Sequence, residues 1–358
     1  MEKPLPSPVS GDVEYLTGMT LGAYLDLVRE RFPELHRDLR FDRAGAARAL
    51  EQLTRLFNEF ETDDPESGRG DSYRRAQQHT AVRLTGIRRL FELAGGVREL
   101  RRLPASWRVL DLLAGDGLLA RALLTLAPQV RSGVISSDVA RHMVSSALAA
   151  ELPALRQDAR YLFLRDACVD AVVLAYGSHH VPPGDRRAVY LEAARVLRPG
   201  GRLVVHDFEE GAPSARWFSE VVHRNSAAGH AYSHFTEADL RRDLIAAGLG
   251  NHQVLRMYDP FVMRADTREK AVGQLADYVH DMYGLTALGR GGADREKVRA
   301  QVWELCEDCF RFGPDEGPSD GGSVEWRRSP AVYRSRDENA WIAEIPRIAL
   351  VAVAVAAA

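Results

Sequence analysis

The sequence predicts an α/β fold built on a doubly wound, mostly parallel sheet, and three observations carry that expectation. Between Trp107 and Phe208 short apolar runs alternate with helical patterns, the mark of right-handed crossover units. The runs are continuously apolar instead of alternating, which suits strands covered on both faces. At 358 residues and 46% hydrophobic composition, the chain can bury a large core without a disulfide or metal staple.

Taken in order, residues 1–11 hold Pro4, Pro6 and Pro8 and no apolar signal core, so a disordered leader is expected. The region 12–104 reads as helical. Thr20 is suited to cap a helix bearing Leu21, Tyr24, Leu25 and Val28 at helical spacing. A second helix is predicted from Arg43 to Phe60, with Ala47, Leu50, Leu53, Leu56 and Phe57 on one face. Residues 61–71 are polar with Pro and Gly and read as an exposed connection. A third helix is predicted from Ser72 to Leu93, stopped by Gly95-Gly96.

The core, 105–265, carries predicted strands at Val109–Leu113, Gly133–Ser136, Ala171–Ala175 and Arg202–Phe208, with helices at Leu118–Leu126, Arg141–Ala150 and Arg186–Leu197. A polar segment rich in His and aromatics follows Phe208. Next come a helix at Glu237–Ala247, capped by Thr236, and a strand at His252–Tyr258. Residues 266–310 read as helical and 311–340 as a Gly/Pro-rich loop. The last strand is predicted within 341–358, over Trp341–Val355. Its apolar stretch Ile348–Ala358 is about half the ~20 residues a membrane-spanning helix needs, and reads as a buried strand. No membrane association is expected, and the predicted location is cytoplasmic.

Charge excludes a further class. The 47 Lys+Arg against 50 Asp+Glu leave a net charge of −3, with no block of like charge. A dedicated nucleic-acid binder usually shows a basic face, because phosphate neutralisation supplies much of its affinity. Only Lys3, Lys270 and Lys297 are lysines, which reflects codon usage more than function. The three cysteines form no disulfide framework. Cys306 and Cys309 make a C-x-x-C with no second pair, so they read as half-buried thiols on a helix and not as zinc ligands.

The most informative block is Trp107–Gly117, a strand running into a glycine turn and then a helix. Gly115 and Gly117 let a ligand approach the backbone, and the helix amides behind them suit acceptor atoms. Asp138 ends the next apolar run, where a carboxylate can accept both ribose hydroxyls. The G-x-G-x-x-G fingerprint fails because Leu118 and Leu119 follow Gly117. That argues against NAD or FAD and for another nucleoside.

On these residues the chain resembles a class I S-adenosylmethionine-dependent methyltransferase of the small-molecule type. V-L-D-L-L-A-G-D-G (109–117) is similar to the family's first motif, S-D-V-A-R-H-M (137–143) to its ribose block and Q-D-A (157–159) to its adenine block. Residues 169–181 and 195–208 resemble the fourth and fifth strands with their flanks. One departure is Leu113, which stands where many members carry the motif's first glycine.

The resemblance implies a Rossmann-like, seven-stranded sheet whose final hairpin is antiparallel. Its arms would be His252–Tyr258 and Trp341–Val355, with 266–340 a helical insertion between them. The N-terminal helices would form a lid or a homodimer surface beside the cofactor. It also implies S-adenosyl-L-methionine as cofactor and a small-molecule acceptor. Asp111, Ala114, Gly115 and Gly117 would line the methionine end. Asp138, with Met143 five positions on, would hold the ribose, and Asp158 with Ala159 the adenine. Ala175 and Tyr176 would lie near the reacting methyl.

Methyl transfer from an activated sulfonium needs mainly alignment, helped by deprotonation when the acceptor is a phenol, alcohol or acidic carbon. His179 is the candidate base, since imidazole titrates near neutrality. Tyr73, His180, His230 and His234 are candidate acceptor contacts. His230 and His234 are four apart, as metal ligands on a helix would be. Gly229 and the interleaved aromatics argue against a helix there, and no metal is expected.

A non-catalytic scaffold that has lost ligand binding is disfavoured by the retained Asp138, Gly115 and Gly117, and two further alternatives stay open. One keeps the cofactor but uses the sulfonium for cyclisation, decarboxylation or hydroxylation. The other is an RNA or protein acceptor, disfavoured because A-Y-G-S stands at 175–178 in place of an N-P-P-Y motif.

Overall fold

The computed structural model describes residues 10–56, 70–130, 133–290, 292, 294–322, 324–335 and 339–357. Most of the predicted leader, the end of the second predicted helix and most of the 61–71 connection lie outside them.

The central sheet is Rossmann-like and has seven strands: β1 (Val109–Asp111), β2 (Val134–Asp138), β3 (Ala154–Arg156), β4 (Val169–Ala175), β5 (Leu197–Asp207), β6 (His252–Tyr258) and β10 (Ile348–Val355). Their order is β3-β2-β1-β4-β5-β10-β6. The first five pair in parallel, and β10 lies antiparallel to both β5 and β6. This is the predicted mostly parallel sheet with a reversed final hairpin. Val109, Leu110, Val172, Val173, Leu203, Val204 and Val351 are buried at its centre, as unbroken apolar strands covered on both faces require.

Sequence patterns set the flanking helices. Thr20 caps α1 (Leu21–Arg31) by accepting from the Ala23 amide, and Thr236 caps a helix at Glu237–Ala246 by accepting from the Asp239 amide. Gly96, at φ 63°, ends α4 (Leu84–Gly95). Behind the glycine turn α5 (Leu118–Leu126) starts at Gly117, φ 94°, where a Cβ would lie 2.4 Å from Leu152 Cδ1. Further helices are α2 (Ala46–Arg55), α3 (Gly70–Gln77), α6 (Arg141–Ala149) and α7 (Pro183–Val196).

Two predicted elements are corrected. The single helix over Ser72–Leu93 is broken: α3 stops at Gln77, a 3-10 turn occupies Thr80–Arg83, and α4 begins at Leu84. No proline or glycine marks that break, which turns the chain so that Arg83 becomes buried. The last strand, read as Trp341–Val355, is two. Pro346 and Arg347 interrupt it, so β9 (Trp341–Ile345) leaves the main sheet. β9 pairs instead with β7 (Phe261–Ala265) and β8 (Ala331–Arg334) in a three-stranded antiparallel sheet.

The 266–340 insertion contributes α9 (Arg268–Tyr283) and α10 (Arg295–Cys309), along with β8. α9 packs on α3, where Arg75 meets Asp281 at 3.1 Å, so the N-terminal region and the insertion together roof one end of the sheet. Cys306 and Cys309 are buried free thiols on α10. No helix among the described residues is long and apolar enough to cross a membrane.

Candidate active site

The carboxyl ends of β1, β2, β4 and β5 open into a cavity of about 410 Å³ beneath that roof, the place where open α/β sheets bind ligands. One end is the glycine turn. Gly115 adopts φ 54°, and a Cβ there would meet only Tyr73, Gln77 and Met143 at 3.7–4.0 Å, so the turn presents bare backbone. Its amide donates to Asp138 Oδ2 at 2.8 Å, while Ala140 N donates to Oδ1 at 2.9 Å. The Val139 amide also pulls on this carboxylate, which still keeps lone-pair capacity for a hydroxyl. Burial raises the Asp138 pKa, against the pull of the Ala140 and Gly115 amides.

Asp111, at the end of β1, is buried, and neither carboxylate oxygen makes a full hydrogen bond to any described residue. Burial, then the nearby Asp138 charge, push its pKa up to about 8. A buried acid with no full hydrogen bond, and only the Leu113 amide pulling on it, fits a site completed by a cation. The methionine ammonium of S-adenosylmethionine supplies one, and the bare turn and the Asp138 lone pairs fit the rest of that molecule.

Of the predicted cofactor residues, Gly115, Asp138, Met143, Asp158, Ala159 and Tyr176 line the cavity. Asp111, Ala114, Gly117 and Ala175 stand behind this wall, setting the turn and strand ends. Asp158 is already engaged: the Arg160 guanidinium grips both its oxygens and also reaches Asp185 at 2.8 Å. Gln157, which sequence reasoning did not single out, is fixed by Ser137 Oγ at 2.9 Å and the Phe163 amide.

The other end is built around His179. Its Nδ1 lies 2.9 Å from Asp207 Oδ2, and its own amide donates to the same oxygen at 2.7 Å. Asp207 also accepts from Ser178 Oγ at 2.7 Å and the Phe208 amide at 2.8 Å, and it lies 3.3 Å from His234 Nδ1. Burial alone would raise its pKa. His179 and His234 outweigh that and hold it well below the usual carboxylate range, so Asp207 stays ionised. An ionised acceptor fixes the proton on His179 Nδ1 and leaves Nε2, which no described group partners, as the basic nitrogen.

His179, Asp207 and His234 bring donor atoms within 4.8 Å of one another and could hold a metal ion. The Asp207 oxygens, however, already accept from Ser178 and two backbone amides, which suits orientation of the histidines. His180 and Tyr232 line the cavity beside His179, their rings 4.3 Å apart. His230 and His234 do not reach the wall: they pack behind it, with His230 stacked on Phe218 at 4.5 Å. Both lie in an irregular segment, not on a helix. Phe218 itself comes from a π-turn at Trp217–Val222, which the sequence pattern did not mark.

Tyr73 of α3, Met282 and Tyr283 of α9, Phe261 of β7 and Arg347 close the roof. Tyr176 sits at φ 65°, a strained backbone for a non-glycine residue, with its hydroxyl 3.2 Å from Asp259 Oδ1.

Residues 110–205 match a family model described as a methyltransferase domain. Over 126 residues the chain is 35% identical to a demethylmenaquinone methyltransferase of Mycolicibacterium vanbaalenii, covering 35% of this chain and 51% of the relative. Over 134 residues it is 34% identical to a ubiquinone/menaquinone biosynthesis C-methyltransferase, UbiE, of Syntrophotalea carbinolica, covering 35% and 53%. The chain thus spans about half the length of these curated relatives. Among solved structures, the YcgJ protein of Bacillus subtilis aligns at TM-score 0.42 and 18% identity, over 75% of this chain and 98% of that one. On its sheet order, its glycine turn and acid, and the matched 110–205 segment, the chain carries a class I S-adenosylmethionine-dependent methyltransferase domain.

Proposed function

We propose that the protein transfers a methyl group from S-adenosylmethionine to a nucleophilic oxygen, nitrogen or carbon of a small molecule, with His179 as general base. The observation that carries this is the placement of an Asp-oriented imidazole and a bare glycine turn on the walls of one cavity. The names of the relatives, which specify a quinone and a C-methyltransferase, support a small-molecule acceptor.

When bound, the cofactor supplies a sulfonium-activated methyl group. Gly115 and Asp138 would hold it, and Asp111, just behind the wall, would lend negative charge towards its ammonium. Tyr73, Tyr176, Phe208, Phe218 and Tyr283 give an aromatic chamber that excludes water and holds a flat acceptor. His179 Nε2 takes the acceptor proton, while the Asp207 charge stabilises the imidazolium that forms.

Incubation with S-adenosylmethionine and a panel of phenols, enols and amines tests this. Acceptor-dependent release of S-adenosylhomocysteine, with a methylated product by mass spectrometry, is expected. Cofactor consumption with an unmethylated product would replace this reading with a non-methylating one.

A further inference from the structure

The roof of the cavity holds two buried guanidinium groups against one carboxylate. Arg347 pairs with Asp259, donating from Nη2 to Oδ2 and from Nε to the backbone carbonyl at 3.0 Å. Arg83, only 3% exposed, lines the same cavity yet makes no hydrogen bond or ion pair with any described residue. Its Nε is buried and unpartnered. The guanidinium lies over the Tyr176 ring at 3.6 Å and 5.8 Å from the Phe261 centroid, and the Tyr278 hydroxyl nearby is likewise buried without a partner. Arginine cannot shed its proton to escape burial, and its desolvation is costly; Asp259, already paired with Arg347, attracts it without forming an ion pair. Stacking on Tyr176 offsets part of that cost. The rest points to an anion that arrives with a ligand, for which arginine's planar fork is suited.

A carboxylate could come from the acceptor or from the methionine end of the cofactor. Most neighbours of Arg83 favour the acceptor: Tyr176, Phe261 and Tyr278 belong to the end of β4, β7 and the insertion helix α9, while Tyr73 also reaches Gly115 of the 111–117 turn. We propose that the acceptor carries a carboxylate on an aromatic body, and that Arg83 is the residue that anchors it. This rests on the methyl-transfer reading above.

The test is calorimetry on the full chain, with and without S-adenosylhomocysteine. The probes are benzoate, phenylacetate and 4-hydroxybenzoate, each against its own amide. At least one carboxylate is expected to bind about tenfold or more tighter than its amide, with the preference lost in Arg83→Met and partly kept in Arg83→Lys. S-Adenosylhomocysteine affinity should be unchanged in Arg83→Met, and ligand-free Arg83→Met should melt no lower than wild type, because a desolvated charge held by no ion pair has gone.

Equal affinity for every acid and amide overturns the anchor while leaving methyl transfer standing. A tenfold fall in S-adenosylhomocysteine affinity assigns Arg83 to the cofactor and also overturns it. A lowered melting temperature with unchanged probe binding makes Arg83 structural and overturns it as well. Carboxylate preference in a wild-type chain that takes no S-adenosylhomocysteine supports the anion site and overturns the methyl-transfer reading instead.

Discussion

Gly86 and Asp259 are packed so closely that a Cβ on the glycine would lie 1.8 Å from Asp259 Oδ1. The bare backbone of α4 is what lets Asp259 reach Arg347 and the Tyr176 hydroxyl at once. Gly86→Ala should displace the carboxylate and cost about 1–3 kcal/mol of stability, as overpacking does. Chemical denaturation measures this. A variant as stable as wild type would show that the roof network is loosely held.

His179 and Asp207 form the oriented pair beside the acceptor space. His179→Gln should leave cofactor affinity within about twofold and lower kcat by roughly 10²–10⁴-fold, the usual worth of a positioned base. Asp207→Asn should lower kcat as well, and combining it with His179→Gln should cost little further, since Asp207 acts through His179. If both variants kept the wild-type rate, the pair would be structural.

Asp111 gives a pH signature. Its folded pKa of about 8 stands above the ordinary carboxylate value, so between pH ~4 and 8 the folded chain holds a proton that the unfolded chain has lost. This group's contribution to ligand-free stability is therefore full below pH ~4 and falls as pH rises towards 8. Cofactor binding should run the other way. The ammonium favours the ionised acid, so binding near pH 7 should release a proton and tighten between pH 6 and 8. Titrations in buffers of different ionisation enthalpy count that proton. Asp111→Asn should abolish the release, weaken binding and flatten the stability profile. Proton release unchanged in Asp111→Asn would remove Asp111 from the site.

The sheet and the cofactor end were legible in the sequence because their signals are local. A strand, a glycine turn and an acid at the next strand's end recur at fixed spacing, as at Gly115 and Asp138, and caps such as Thr20 and Thr236 act within a few residues. The roof was not. The 3-10 turn at Thr80–Arg83 and the break at Pro346-Arg347 bury two arginines against residues far along the chain, and no periodicity records that. Gly86 was the available hint, since a glycine within a helix often marks close approach. Residue type and their place after the fifth core strand point to His230 and His234 as acceptor contacts. In the fold they support His179 from behind, a difference only the path of residues 226–235 decides.

One titration bears most directly on the whole account: S-adenosylmethionine into wild-type protein and into Asp138→Ala, each checked for folding by circular dichroism. Saturable one-to-one binding is expected for wild type, with affinity reduced roughly 10–100-fold in the variant, the worth of hydrogen bonds to a charged group. A folded wild-type chain that takes up no S-adenosylmethionine, or an Asp138→Ala variant that binds it equally well, would contradict the account.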